Sequence, residues 1–327
     1  DITAVTFDTV GDLTLTNSSS LLTLSANQAT AFNATGLTTT MNSGKLLVAA
    51  GGDLRGQDLT NVTLTLNANT TLPDATTDMP VSIDAASKTI TIEDDIDISG
   101  VTITNPGALI ISGTTNVTMS VTQHGQFSSI TANGAGQTIT LSDAGTLTAN
   151  TAIETYVLAD AGSTTLTLAN GGQSVNTGSG GSNTIDFAAL TATGTFTTQA
   201  SDIIKLNNTA NIAGAVKSGG SAGDAFTAND LTLVTGAAVS MTAAQHNGFS
   251  GTVTAAGTSG GGDGEQITLT TTGTVTGESV IETYVLSGTS NTFTLGAAGQ
   301  SVNTGSGGTN TIDFAALTAT GTFTTQA

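Results

Sequence analysis

Short runs in which apolar residues alternate with threonine recur along most of the chain. Clear examples are Val62-Thr-Leu-Thr-Leu66, Ile90-Thr-Ile92, Ile139-Thr-Leu141 and Leu166-Thr-Leu168. Because successive side chains of a strand point to opposite faces, each run predicts a short β-strand with one apolar face and one threonine face. Glycine, asparagine, aspartate or serine follows nearly every run, as turns require. Helical spacing is almost absent, and only 29–37 and 242–249 predict a single helical turn.

The size of the apolar side chains decides between two all-β folds. Strand-like triplets recur about every 10 to 12 residues, their apolar positions are mostly small and aliphatic, and aromatic residues make up only 4% of the chain. A narrow core stacked turn upon turn suits such side chains, because each turn buries its strands against its neighbours. The pattern therefore predicts a parallel β-solenoid, in the form of a right-handed β-helix. A string of tandem β-sandwiches is the alternative.

Internal duplication organises the second part of the chain. Residues 173–200 recur as 300–327 with 27 of 28 positions identical, Thr309 standing in place of Ser182. Further matched blocks pair 153–158 with 281–286 and 119–127 with 241–249. We therefore predict three regions, which are an N-terminal β-repeat region at 1–118, a first repeat unit at 119–240 and a truncated second unit at 241–327.

Charge and cysteine content exclude several classes of function. The net charge is −19, from 24 acidic against 5 basic residues, and the chain has no cysteine. Nucleic-acid binding needs clustered lysine and arginine, so a nucleic-acid partner is not expected. The lack of cysteine excludes disulfides, zinc–thiolate sites and thiol catalysis. No apolar run reaches 18 residues, so membrane insertion is not expected either.

An acidic cluster is the first candidate for binding chemistry. Asp94, Asp95 and Asp97 follow a predicted strand within five residues of sequence. Aspartate oxygens are ligands that Ca²⁺ prefers, and few basic residues are present to balance the acids. If the cluster lies in a turn, its carboxylates can gather around one calcium ion. A solvated acidic turn without metal is the alternative.

The glycine-rich segment 174–187 and its copy at 301–314 carry a family resemblance. Thr177-Gly-Ser-Gly180 followed by Asn183 and Ile185 resembles a degenerate RTX nonapeptide, and the flanking sequences resemble Gram-negative surface-layer proteins and large RTX-type adhesins. The resemblance implies a calcium-binding turn, with Asp186 and Asp313 as candidate ligands in the two copies. Asn183 stands where the repeat has aspartate, which removes its main ligand, so a metal-free glycine-rich turn is the alternative.

Catalysis is not expected from this sequence. His124 and His246 are the only histidines and occupy the same repeat position, so one unit cannot assemble a histidine zinc site. Tyr156 and Tyr284 also match each other, and we expect both to pack against the edge of a turn. A sugar-cleaving site would need paired acids in an aromatic cleft, and the chain has no tryptophan and two tyrosines.

These observations predict a structural subunit of an extracellular, self-assembling polymer at a bacterial cell surface, such as a surface layer, sheath or filament. The alternative is the stalk or ligand-binding segment of a calcium-dependent adhesin, with cell-surface polysaccharide as a possible partner. We expect head-to-tail self-association, because residues after 318 repeat a segment that continues into apolar sequence in the first unit. Ile2, Val5 and Phe7 are the predicted complement at the other end.

Overall fold

The computed structural model is a parallel β-solenoid of about 13 turns with little helix, which confirms the predicted parallel solenoid over tandem sandwiches. Two compact units divide the chain, Asp1–Asp143 with Ala152–Thr155 and Ala144–Thr151 with Tyr156–Ala327. The structure describes residues 21–24, 45–48, 52–55, 59, 62–73, 75–228, 230–255, 264–287, 290–305, 308–315 and 317–325. The predicted complement Ile2, Val5 and Phe7 and the predicted helical turn at 29–37 lie outside these residues.

The first unit is built from strands of two to five residues. They are β1 (Leu21–Leu24), β2 (Lys45–Val48), β3 (Gly52–Asp53), β4 (Thr63–Leu66), β5 (Thr70–Thr71), β6 (Ser82–Asp84), β7 (Ile90–Ile92), β8 (Ile96–Asp97), β9 (Thr102–Thr104), β10 (Ala108–Ser112), β11 (Asn116–Met119), β12 (Ser129–Asn133) and β13 (Thr138–Leu141). A single 3₁₀ turn, Thr76–Asp78, precedes β6. The parallel sheet orders are β1-β2-β4-β6-β9, β12-β10-β7-β5-β3 and β8-β11-β13.

The second unit continues the same design. Its strands are β14 (Thr146–Thr148), β15 (Thr155–Val157), β16 (Thr165–Thr167), β17 (Ser174–Asn176), β18 (Thr184–Asp186), β19 (Thr195–Thr197), β20 (Ile203–Leu206), β21 (Val216–Lys217), β22 (Asp230–Leu233), β23 (Ala238–Met241), β24 (Val253–Ala255), β25 (Gln266–Leu269), β26 (Thr274–Thr276), β27 (Thr283–Leu286), β28 (Thr292–Thr294), β29 (Ser301–Asn303), β30 (Thr311–Asp313) and β31 (Phe323–Thr324). They form sheets ordered β14-β16-β18-β20-β22-β24, β15-β17-β19-β21, β23-β25-β27-β29-β31 and β26-β28-β30.

Register between turns stacks like residues into continuous apolar columns. In the second unit, Leu166, Ile185, Ile204 and Leu231 are successive partners in one sheet, and all four are buried. Neighbouring positions on each strand point outward and are mostly threonine or another polar residue, as the alternation predicts. A slip of one residue would move this whole apolar set to the outer face, so the column fixes the register.

Two six-residue helices, α1 (Val121–Gln126) and α2 (Ala243–Gly248), occupy the same repeat position. Both begin with a capping box, formed by Ser120 with Gln123 in α1 and by Thr242 with Gln245 in α2. The sequence predicts α2 correctly, but α1 was not predicted. Gly125 and β-branched residues weaken the helical pattern in α1, and its capping box supplies the missing stability.

Candidate functional site

Two aspartates of the predicted acidic calcium cluster, Asp94 and Asp95, lie in the exposed bend between β7 and β8, and the third, Asp97, ends β8. The Asp95 carboxylate accepts a hydrogen bond of 2.7 Å from the backbone N–H of Asn116 in the next turn. The Asp97 carboxylate accepts one of 2.8 Å from the N–H of Ser99, while Asp94 is exposed. The structure thus places Asp94 and Asp95 in one bend and Asp97 in the strand that follows, and Asp95 and Asp97 each accept a hydrogen bond from a backbone N–H group.

The glycine-rich turn of the first copy is organised around a buried asparagine–aspartate pair. Asn183 is fully buried. Its Nδ2 donates a hydrogen bond of 2.9 Å to the carbonyl oxygen of Thr177, and its Oδ1 accepts a hydrogen bond of 2.9 Å from the N–H of Thr164. Its own N–H donates 2.9 Å to Asp202, which is fully buried in the next turn. Asp202 also accepts 2.5 Å from the Thr177 hydroxyl and 2.6 Å from the N–H of Gln199. Asn183 therefore joins three successive turns through hydrogen bonds.

Close stacking explains the glycines of this turn. Gly181 has φ +80°, a backbone conformation that other residues rarely adopt. A Cβ built at Gly181 would lie 1.8 Å from the carbonyl oxygen of Gly162 in the preceding turn. The glycine spacing that resembles a calcium-binding repeat therefore also allows one turn to lie close against the next.

Asp186 and Asp313, the candidate calcium ligands of the two copies, occupy the same strand position in different surroundings. Asp186 is buried, and its Oδ2 lies 2.7 Å from Nζ of Lys205. Its Oδ1 accepts a hydrogen bond of 2.8 Å from the N–H of Ala188 and another of 3.0 Å from Nδ2 of Asn207. Asp313 is exposed and accepts 2.8 Å from the N–H of Ala315.

Sequence reasoning missed four buried glutamines that join successive turns. We call Gln123, Gln173, Gln245 and Gln300 the glutamine clasps. In each clasp the amide oxygen accepts from backbone N–H groups of its own turn, and the amide nitrogen donates to a carbonyl of the preceding turn. For Gln300 these donor bonds run 2.6 Å to Glu278 and 3.0 Å to Ile281. The signal was present in the sequence, because all four lie at matched repeat positions.

The two histidines lie in the interior. His246 is 3% exposed, and its Nε2 lies 3.1 Å from the hydroxyl oxygen of Tyr284, whose ring meets it edge-on. That hydroxyl oxygen also accepts 2.8 Å from the N–H of Glu278. Burial lowers the pKa of His246 to about 4, and burial lowers the pKa of His124 as well. Both imidazoles are therefore neutral at physiological pH.

One carboxyl pair distinguishes the second repeat from the first. The N–H of Glu265 donates 3.2 Å to the carboxylate of Glu282, and the buried Glu265 side chain accepts 2.9 Å from the N–H of Gly236. Burial raises the pKa of Glu282, and its hydrogen bond and charge repulsion with Glu265 raise it further. Burial also opposes ionisation of Glu265, but its hydrogen bonds outweigh burial and lower its pKa. At the matching positions the first repeat has Gln137 and Glu154, with a 3.0 Å contact.

An open turn is the most distinctive surface feature of the second unit. We use this name for the surface formed by Thr304, Asn310, Ile312, Phe314 and Phe323, which lines a cavity of about 460 Å³. Phe314 is 42% exposed, and its ring centroid lies 5.0 Å from that of Phe323. Among the described residues, β30 and β31 are each the last strand of their sheet. This surface therefore combines apolar side chains with two strand edges.

Other kinds of site have little support in the described part of the chain. Within it, no three His, Cys, Asp or Glu side chains gather as the ligands of one metal ion would. No helix among the described residues combines the length and apolar character needed to cross a membrane. The open turn is therefore the candidate functional site.

Comparison with known proteins adds no relative to this description. No protein-family model matches the chain, and neither a curated protein nor a solved structure matches it.

Proposed function

We propose that this chain is a structural subunit of an extracellular, self-assembling polymer at a bacterial cell surface, such as a surface layer, sheath or filament. The observation that carries the proposal is the repetitive parallel solenoid, in which apolar columns stack turn upon turn. Its second unit presents strand edges and an apolar patch in the open turn, where Phe314 is 42% exposed. An exposed apolar patch that also offers strand edges is a typical docking surface for another polypeptide.

A heterologous contact at this surface would determine the geometry of the polymer. If a neighbouring copy covers the open turn with a different part of its own surface, the contact is head-to-tail and propagates into an open filament unless the rotation closes a ring. The predicted neighbour segment around Ile2, Val5 and Phe7 is one candidate for that part. The proposal assigns no catalysis to the histidines, in keeping with the burial of His124 and His246.

Electron microscopy and sedimentation velocity of the purified chain test the proposal. We expect ordered polymers for the unaltered chain and single particles for Phe314→Asp, because a charge in the open turn opposes apolar contact. Val81→Asp is the matched control, since Val81 is 50% exposed and belongs to the first unit, whereas the open turn belongs to the second. Circular dichroism checks that both variants fold. Isolated rods of the unaltered chain at every concentration would contradict the proposal and favour the stalk of an adhesin.

A further inference from the structure

We propose that Asn133 is a site of spontaneous covalent modification, at which the backbone nitrogen of Gly134 converts the asparagine side chain to aspartate and isoaspartate. Both residues are exposed and lie in the first unit, where β12 ends and a bend begins. This chemistry is separate from the proposed polymer, because it needs only one turn of the solenoid and water. Each conversion adds a negative charge to a chain whose net charge is already −19.

The reaction needs an asparagine side chain that is free to rotate and an unshielded nitrogen in the next residue. The nitrogen of Gly134 attacks Cγ of Asn133, and the new N–C bond closes a succinimide ring. The bond from Cγ to Nδ2 breaks, and Nδ2 leaves as ammonia together with the proton that the Gly134 nitrogen loses. Water then opens the ring at Cγ to give aspartate, or at the backbone carbonyl to give isoaspartate. A glycine in the second position favours attack, because it has no side chain that shields its nitrogen.

The structure distinguishes between three such pairs. The sequence places them at 133–134, 170–171 and 247–248. In the second pair, Nδ2 of Asn170 donates a hydrogen bond of 3.1 Å to the carbonyl oxygen of Thr151, and its Oδ1 accepts one of 2.9 Å from the N–H of Gly172. A Cβ built at Gly171 would lie 1.8 Å from the carbonyl oxygen of Thr191, so another turn lies close against this glycine. The second pair is therefore both held and shielded.

The third pair is held by the helix α2. Asn247 and Gly248 are its last two residues, so the helix constrains the backbone torsions that ring closure must change. Nδ2 of Asn247 donates a hydrogen bond of 2.8 Å to the carbonyl oxygen of Thr274. A Cβ built at Gly248 would lie 2.6 Å from Cβ of Ala225. This pair is therefore also protected, although the Asn247 side chain is exposed.

The first pair has none of these restraints. Within the described part of the chain, no hydrogen bond holds the Asn133 side chain. A Cβ built at Gly134 would meet nothing nearer than the backbone nitrogen of Gly113 at 3.4 Å, so the nitrogen of Gly134 is accessible. Gly134 has φ +124°, a conformation that favours glycine, so the bend itself keeps the reactive pair glycine-containing.

The backbone at Asn133 also lies where local opening disturbs little. Among the described residues, β12 is the last strand of its sheet. The carbonyl oxygen of Asn133 accepts a hydrogen bond of 2.9 Å from the N–H of Gly113 at the end of this strand. Opening of the strand end releases that contact and lets the backbone of Asn133 rotate toward the geometry of attack.

The second repeat shows that the fold does not need the asparagine. Where the first repeat has Ile130-Thr-Ala-Asn-Gly134, the second has Val253-Thr-Ala-Ala-Gly257. The glycine is kept and alanine replaces the asparagine. Asn133→Ala should therefore fold normally while it removes the reactive amide.

Peptide mass spectrometry of the full chain tests the proposal. The purified chain is incubated at mildly alkaline pH, either folded or in urea, and peptic peptides that contain each pair are analysed. Labelling with an isoaspartyl methyltransferase identifies the isoaspartate product. In the folded chain, Asn133 should convert at least about fivefold faster than Asn170 or Asn247, as expected when one hydrogen bond of about 1 kcal/mol must be broken before attack. In urea the three rates should converge.

Comparison between sites separates local reactivity from rare unfolding. Conversion through global unfolding would affect all three asparagines at similar rates in the folded sample, and this result would overturn the inference. So would an intact Asn133 after a time in which the chain in urea is converted. The Asn133→Ala chain should show the same circular dichroism and lose most of the isoaspartate label of the folded sample. An unchanged label in that variant would place the modification elsewhere and contradict the assignment to Asn133.

Discussion

At the scale of single residues, matched positions of the two repeats act as natural variants of each other. Gln137 and Glu265 both donate their backbone N–H to a glutamate of the following turn, Glu154 and Glu282 respectively. The contact is preserved, but a neutral amide in one repeat is a carboxyl group in the other. The repeats thus show that the fold accepts either side chain at this position.

Glu265→Gln should remove this difference. The folded pKa of Glu282 lies above its ordinary value of 4.5, so the folded state binds more protons there than the unfolded state, and the free energy of unfolding falls as pH rises through the window just above 4.5. The variant should flatten that fall and lower the pKa of Glu282. Urea denaturation across pH and carboxyl NMR titration measure the two effects. Gln137→Glu is the reciprocal variant and should introduce the fall into the first repeat; an unchanged Glu282 titration would contradict the interpretation.

His246 predicts a second pH dependence, of opposite sign. Its folded pKa of about 4 lies below its ordinary 6.5, because the charged imidazole would be buried. Stability from the neutral ring is complete above pH 6.5 and is lost as pH falls through 4, by about 3 kcal/mol in total. His246→Gln should lose less stability over this window in urea denaturation. An acid response equal to that of the unaltered chain would count against this role.

At the scale of structural elements, the glutamine clasps hold the turns together. Gln173→Ala should lower the free energy of unfolding by about 3 kcal/mol, because buried N–H and carbonyl groups of two turns lose their partner. Gln300→Ala should have a similar effect, since its hydrogen bonds follow the same plan. Urea denaturation measures both.

An outward-facing position on a neighbouring strand provides the control. Thr195 is exposed in β19, so Thr195→Ala should change stability by no more than about 0.5 kcal/mol. If a clasp variant costs no more than this control, the clasps do not stabilise the stacking. The comparison also separates the effect of losing turn-to-turn hydrogen bonds from the effect of a change in strand propensity.

The elements also show what the sequence makes predictable. Alternation of apolar residues and threonine identifies strands such as β4 and β16, because burial of one face leaves a period of two in the sequence. The helix α1 escapes prediction because its stability depends on the reciprocal hydrogen bonds of Ser120 and Gln123, which leave no hydrophobic period. The clasps escape prediction for a related reason. A buried glutamine has a meaning only once the carbonyl groups of the preceding turn are in place.

At the scale of the whole molecule, duplication predicts the strands of the second copy but not their exposure. The sequence of 300–327 predicts the same strands as 173–200, and β29 and β30 match β17 and β18 residue by residue. Exposure of Phe314 depends on what lies against it, and no local pattern records that.

Calcium dependence is the prediction that belongs to the molecule as a whole. A net charge of −19 makes the carboxylates repel one another, and a divalent cation at an aspartate-rich segment such as Asp94, Asp95 and Asp97 would offset this repulsion. Chelation with EGTA should therefore lower the melting temperature by roughly 2–3 °C, a change expected from about 1–2 kcal/mol in a chain of this size. Calcium should restore it more fully than sodium chloride of equal ionic strength, because screening alone does not bridge carboxylates.

Asp95→Asn should reduce the calcium effect if the cluster binds the ion. Melting that is the same in EGTA and in calcium would mean that hydrogen bonds such as that from Asn116 to Asp95 suffice to hold the acidic bends.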